Sequence, residues 1–126
     1  MKQHILVVDD EAPIRSLLTT YFQKRGYRVT SVATAEEARR CADETPLNLI
    51  ILDIDLSDAD GLDLLAMFRK AYPQLPVIML TGMGYDDELL EEALRKGATG
   101  YVSKTLPLDQ LLMEVHRALK QQPSPV

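Results

Sequence analysis

Five short apolar runs recur along this chain, and between them the apolar residues shift to helical spacing. That alternation limits the choice of fold more than any other feature. HILVVD (4–9), YRVTSV (27–32), LNLIILD (47–53), PVIMLT (76–81) and TGYVSK (99–104) have the length and composition of strands. APIRSLLTTYFQKRG follows the first run, with Pro13 early, apolar residues at Ile14, Leu17, Leu18, Tyr21 and Phe22, and Gly26 as its stop. Thr34 and Glu37 form a capping-box pattern that opens a helix ending before Pro46. LDLLAMFRKAY is helical until Pro73, and DDELLEEALRK carries acids in its first turn, bases in its last and Gly97 beyond, as the helix dipole prefers. A last helix is expected from about Pro107 to Gln121.

Strands alternating with helices imply a parallel sheet covered on both faces, because right-handed crossovers place the helices there. The third run, LIILD, is apolar without alternation, as suits a central strand. The expected fold is therefore α/β, a doubly wound, flavodoxin-like five-stranded parallel sheet of order 2-1-3-4-5 with five helices. At 126 residues the chain suits one domain, expected over residues 1–121, with 122–126 (QPSPV) as a flexible tail or linker stub. No internal repeat or low-complexity segment is visible.

Composition narrows the function classes. No apolar stretch approaches a membrane span, and ILVV before Asp9 and Asp10 is too short and too acidic for a secretory signal, so a cytoplasmic location is expected. The formal net charge is -5, and Lys and Arg never cluster beyond a pair, which argues against direct nucleic-acid binding. Cys41, the one cysteine, lies in a helical pattern and is read as a packing residue. His4 and His116 have no acidic or cysteine partners at ligand spacing and are read as surface residues.

The charged residues at the strand ends carry the functional argument. In open α/β sheets the ligand site lies beyond the carboxyl ends of the strands, near the switch point between the first and third. The first strand ends in Asp9 and Asp10, the third in Asp53, the fourth in Thr81 and the fifth in Lys104. Three neighbouring carboxylates repel one another unless a cation lies among them, and hard oxygen donors with room for water suit Mg²⁺. A carboxylate can also attack phosphorus, giving an aspartyl phosphate, with a metal, an ammonium and a hydroxyl neutralising the phosphoryl oxygens. Asp53 is the best-placed nucleophile. Carboxylates ending three apolar strands have no comfortable structural role. The nearby Asp58, Asp60 and Asp63 do: they read as loop and helix-start acids, with Asp60 an N-cap before Gly61, and DDELLEE reads as a solvated face.

ILVVDDE, LIILDIDLSDADG, VIMLTG and GATGYVSK, in this order, resemble the receiver domain of two-component response regulators, over about residues 4 to 121. The resemblance implies Asp53 as phosphoacceptor, Asp9 and Asp10 as the acidic pair that holds Mg²⁺ with Asp53, and the backbone carbonyl of Asp55 as a further ligand. It implies Thr81 as the switch hydroxyl, Lys104 as the phosphate counter-charge and Tyr101 as the switch aromatic. The donor would be a phosphohistidine on a sensor histidine kinase or phosphotransfer protein. The output, toward a second copy or an output domain, would pass through the face made by the fourth helix, fifth strand and fifth helix. In the receiver arrangement, Asp55 and Met83 border the approach of hydrolytic water, so both are expected to tune dephosphorylation. Such a protein promotes its own phosphorylation and dephosphorylation as a switch and does not turn over small substrates.

The chain departs from the family pattern in places. Ser57 and Ala59 stand where Pro and Met are frequent, Thr105 follows Lys104 where Pro is usual and a trans bond is expected, and the GMGY segment is one residue longer. KTLP resembles the fifth-strand junction of receivers joined to helix-turn-helix domains. An enzyme alternative is a Mg²⁺-dependent phosphohydrolase with an aspartate nucleophile, suggested by the Asp-x-Asp of LDIDL. Its motifs usually run in another order and with an added cap domain. A flavin-binding module of similar fold would need amides and hydroxyls where VVDDEAP offers carboxylates.

Overall fold

The computed structural model describes residues 2–82, 86–105 and 107–120. Its elements run β1 (His4–Val8), α1 (Ala12–Gln23), β2 (Arg28–Val32), α2 (Ala35–Glu44), β3 (Leu49–Asp53), α3 (Gly61–Ala71), β4 (Val77–Thr81), α4 (Asp87–Arg95), β5 (Gly100–Ser103) and α5 (Leu108–Lys120). All four strand pairings are parallel and the sheet order is β2-β1-β3-β4-β5, the order expected from the alternation.

Side chains of successive strand residues point to opposite faces, and that period divides the core in two. Ile5, Val7, Leu49, Ile51, Ile78, Leu80 and Val102 pack with Leu18 and Phe22 of α1 and Leu111, Val115 and Ala118 of α5. Leu6, Val8, Ile50, Leu52, Val77 and Met79 pack on the other face with Ala38 of α2, Leu65 and Phe68 of α3 and Ala93 of α4. With helices on both faces, β1, β3 and β4 are buried along their whole length, which explains their unbroken apolar runs.

Local signals set the element ends. The Thr34 hydroxyl accepts from Glu37 N at 3.2 Å, and the Glu37 carboxylate reaches back to the Ala33 amide at 3.4 Å. Asp60 caps α3 by accepting from Leu62 N at 2.8 Å. Gly26 and Gly97 adopt φ of 91° and 101°, the left-handed conformation that ends α1 and α4. The described residues contain no cis peptide bond, so the bond from Lys104 to Thr105 is trans.

His4 corrects the reading of it as a surface residue. As the first residue of a strand flanked by β2 and β3 it is only 4% exposed, and its Nε2 lies 2.7 Å from the Thr30 hydroxyl. Burial, and then the charge of Arg28, hold the imidazole below its ordinary pKa. No described helix is long and apolar enough to cross a membrane. Gln121, the 122–126 tail and Met83 lie outside the described residues.

Candidate functional site

The parallel sheet places the carboxyl ends of β1, β3, β4 and β5 along one edge. Asp9 leaves β1 and stays buried, its backbone N–H donating to Val32 O at 3.1 Å. Its Oδ1 accepts from Glu11 N at 2.8 Å, and the Arg15 guanidinium donates to its carbonyl at 2.6 Å. These bonds hold the start of α1 against the strand end. Asp53, the last residue of β3, is 2% exposed, and its Oδ1 accepts from the Asp55 amide at 3.1 Å. Asp10 is exposed beside them, and one carboxylate oxygen from each of Asp9, Asp10 and Asp53 falls within 4.8 Å of the others.

Lys104 enters this cluster from the end of β5, where its amide donates to Thr81 O at 2.7 Å. Its side chain is 11% exposed, and Nζ lies 3.0 Å from Asp9 Oδ2, 3.1 Å from Asp53 Oδ2 and 2.6 Å from Glu11 Oε2. Burial alone would lower the ammonium's pKa, but the pairing with Glu11, Asp9 and Asp53 outweighs it and leaves the group above the ordinary lysine range. At Asp53 burial wins instead. Loss of water, followed by repulsion from Asp9, raises its pKa to about 6 despite the opposing bonds from Lys104 and the Asp55 amide.

The donor set suits a small hard cation. The four acids exceed the one ammonium in charge, every donor is a carboxylate oxygen, and the buried Asp9 Oδ2 receives no aligned hydrogen bond, only the ion pair. Asp9, Asp10 and Asp53 could therefore hold a divalent cation while Lys104 balances the remaining charge.

The fold brings Asp9, Asp10, Asp53 and Lys104 into one cluster. Thr81 is buried at the end of β4, opposite Ser103 in register, and Asp55 is exposed immediately beyond Asp53. Tyr101 stands elsewhere: it packs in the core layer shared with α3 and α4, opposite Met79. Glu11 was missed. It follows the acidic pair in DDE, and only the return of the fifth strand, 93 residues later, brings an ammonium to it.

A doubly wound parallel sheet with this acidic cluster and lysine at its strand ends defines a class that comparison with known proteins also finds. Residues 5–116 match the response regulator receiver domain, and the chain belongs to that family, whose members are phosphorylation-based switches in two-component signalling. An NtrX-like response regulator of Rickettsia felis is 35% identical over 116 residues, covering 90% of this chain and 24% of that protein. The chain thus spans about a quarter of the length of the curated relatives it matches. Among solved structures, a CheY-like receiver domain protein of Methanospirillum hungatei superposes with a TM-score of 0.91 at 31% identity, covering 97% of both chains. The receiver domain of NtrX from Brucella abortus does so with a TM-score of 0.85 at 36% identity, covering 94% of this chain and 99% of that one.

Proposed function

We propose that the chain accepts a phosphoryl group on Asp53 from a phosphohistidine of a sensor histidine kinase or phosphotransfer protein, with Mg²⁺. The contact that carries this reading is the Lys104 ammonium 3.1 Å from a buried Asp53 carboxylate whose other oxygen is held by the Asp55 amide. A lone pair of the Asp53 carboxylate attacks phosphorus, the phosphorus–nitrogen bond of the donor breaks, and the departing imidazole leaves with the electron pair of that broken bond and takes a proton from solvent. Asp9, Asp10, Asp53 and the backbone carbonyl of Asp55 would hold the Mg²⁺. Bound there, the ion would supply positive charge to offset that on the phosphoryl oxygens. Lys104 and the Thr81 hydroxyl supply the remaining counter-charge and hydrogen bond.

The phosphorylated and free forms would differ in the population of two conformations, with Thr81 and Tyr101 as the reporting residues and α4, β5 and α5 as the output face toward a second copy or an output domain. Asp55, and Met83 outside the described residues, would tune hydrolysis.

The test is incubation with a small acyl phosphate and Mg²⁺, followed by intact mass and peptide mapping. One added phosphoryl group on Asp53, lost in Asp53→Asn, is the expected result; a gain that survives the substitution would overturn it. Steady turnover of small phosphate esters would favour the phosphohydrolase alternative instead.

A further inference from the structure

Asp58 lies at the outer part of the loop between β3 and α3, and its carboxylate reaches across to another element. Oδ1 accepts from the Ala35 amide at 2.9 Å and Oδ2 from the Glu36 amide at 3.4 Å. These are the first two N–H groups of α2, which the helix itself leaves without partners. The side chain of the helix's own N-cap, Thr34, accepts from the third, Glu37. Capping of α2 is therefore divided between its own N-cap and a carboxylate 22 and 23 positions away in a different loop.

We infer that Asp58 is a positioning residue for the metal-binding loop, clasping residues 54–60 to the N-terminus of α2 and so holding Asp55 at the site. The inference rests on the reading of Asp53 as a Mg²⁺-assisted phosphoacceptor. The loop is closed at its base, where Gly61 N donates to Ile54 O at 2.9 Å and Asp55 bridges to Asp60. Leu56 and Ala59 pack against the core. Ser57 and Asp58 are exposed, and Ser57 gives the backbone no preset φ of the kind proline would impose. Asp58 ties that outer part down. A bridge through an anionic acceptor to helix amides also gains from the helix dipole. The same two bonds, first that from Ala35, hold the Asp58 carboxyl below its ordinary pKa. Asp55 lies three residues before the clasp and is joined through its amide to Asp53 Oδ1. A loop released at Asp58 lets Asp55 move relative to that oxygen.

The experiment compares the parent with Asp58→Ala, Asp58→Asn and Thr34→Ala. Mg²⁺ affinity is read by calorimetry, and amide hydrogen exchange at Asp55 and Gly61 is read in metal-free protein. Asp58→Ala should weaken Mg²⁺ binding about fivefold, less than loss of a partner bonded directly to a metal ligand does, because Asp58 acts through the loop, and should speed exchange at both amides. Asp58→Asn keeps an oxygen acceptor and should stay within about twofold of the parent. Thr34→Ala removes the other half of the same cap, so it should lower the melting temperature while leaving Mg²⁺ affinity and loop exchange unchanged. Asp58→Ala matching a parent that does bind Mg²⁺ would overturn the inference alone, as would Thr34→Ala weakening Mg²⁺ equally, since the role would then be helix stability. A parent that takes up neither Mg²⁺ nor a phosphoryl group would overturn the functional reading and this inference together.

Discussion

Lys104 and Asp53 are 51 residues apart in the chain, and their ammonium and carboxylate meet at 3.1 Å. The same ammonium also meets Asp9 and Glu11, so one cation offsets charge that would otherwise destabilise the ends of two central strands.

Removing that cation should therefore act on stability and metal binding in opposite directions. Lys104→Met leaves buried carboxylates unpaired and should cost about 3 kcal/mol in metal-free buffer. A divalent cation can then replace the lost charge, so the rise in melting temperature on adding Mg²⁺ should exceed the parent's. Thermal melts with and without Mg²⁺ check this, and an equal or smaller rise would count against competition for the same oxygens.

Asp53 itself should carry a pH signature. Its folded pKa of about 6 lies above the ordinary aspartate value of 3.8, so the native state holds the proton more tightly than the unfolded chain. Its contribution to stability is full below about pH 4 and is lost as pH rises to about 6. The gap corresponds to about 3 kcal/mol. Asp53→Asn stays neutral throughout, so in metal-free buffer it should be more stable than the parent at pH 7.5, with the difference vanishing near pH 4. Urea melts across that range measure it.

Asp55 is exposed next to the phosphoacceptor, where its carboxylate can hold a water by accepting its hydrogen bond. Positioning dominates phosphoryl transfer, so Asp55→Met should lengthen the phosphorylated lifetime about threefold or more. Decay after removal of the donor follows it directly; a variant that decays as fast as the parent would show that Asp55 does not position the water.

Gly61 opens α3 directly behind the phosphoacceptor. A Cβ there would overlap the Asp53 carbonyl oxygen and stand 2.6 Å from that of Ile54. Since both neighbours are backbone at the end of a buried strand, Gly61→Ala should destabilise the fold by about 2 kcal/mol or more. It should also slow phosphorylation of Asp53 by displacing it. Chemical denaturation and the initial rate with a small acyl phosphate test the two effects separately.

Local physics made much of this molecule legible in the chain. Helical and strand periodicities set the ten elements and hence the parallel sheet, since each is a property of a few neighbouring residues. The Asp60 cap, the Thr34–Glu37 box and the left-handed Gly26 and Gly97 were readable for the same reason. So were the strand-end acids, because the topology rule places every carboxyl end on one edge.

What only the tertiary structure decided are contacts between elements whose relative placement no local pattern encodes. Glu11 has no role legible in the chain until β5 returns Lys104 to it. Asp58 reads as a loop acid until the N-terminus of α2 arrives beside it. His4 reads as a surface residue until β2 and β3 flank it, and Tyr101 turns into the core because of the face β5 presents. Gly61 reads only as the residue after the Asp60 cap until α3 is laid against the end of β3. A carboxylate takes its role from the group that meets it, and for Asp58 and Glu11 the partners lie 22 and 23 and then 93 positions away, because packing, not sequence proximity, chooses them.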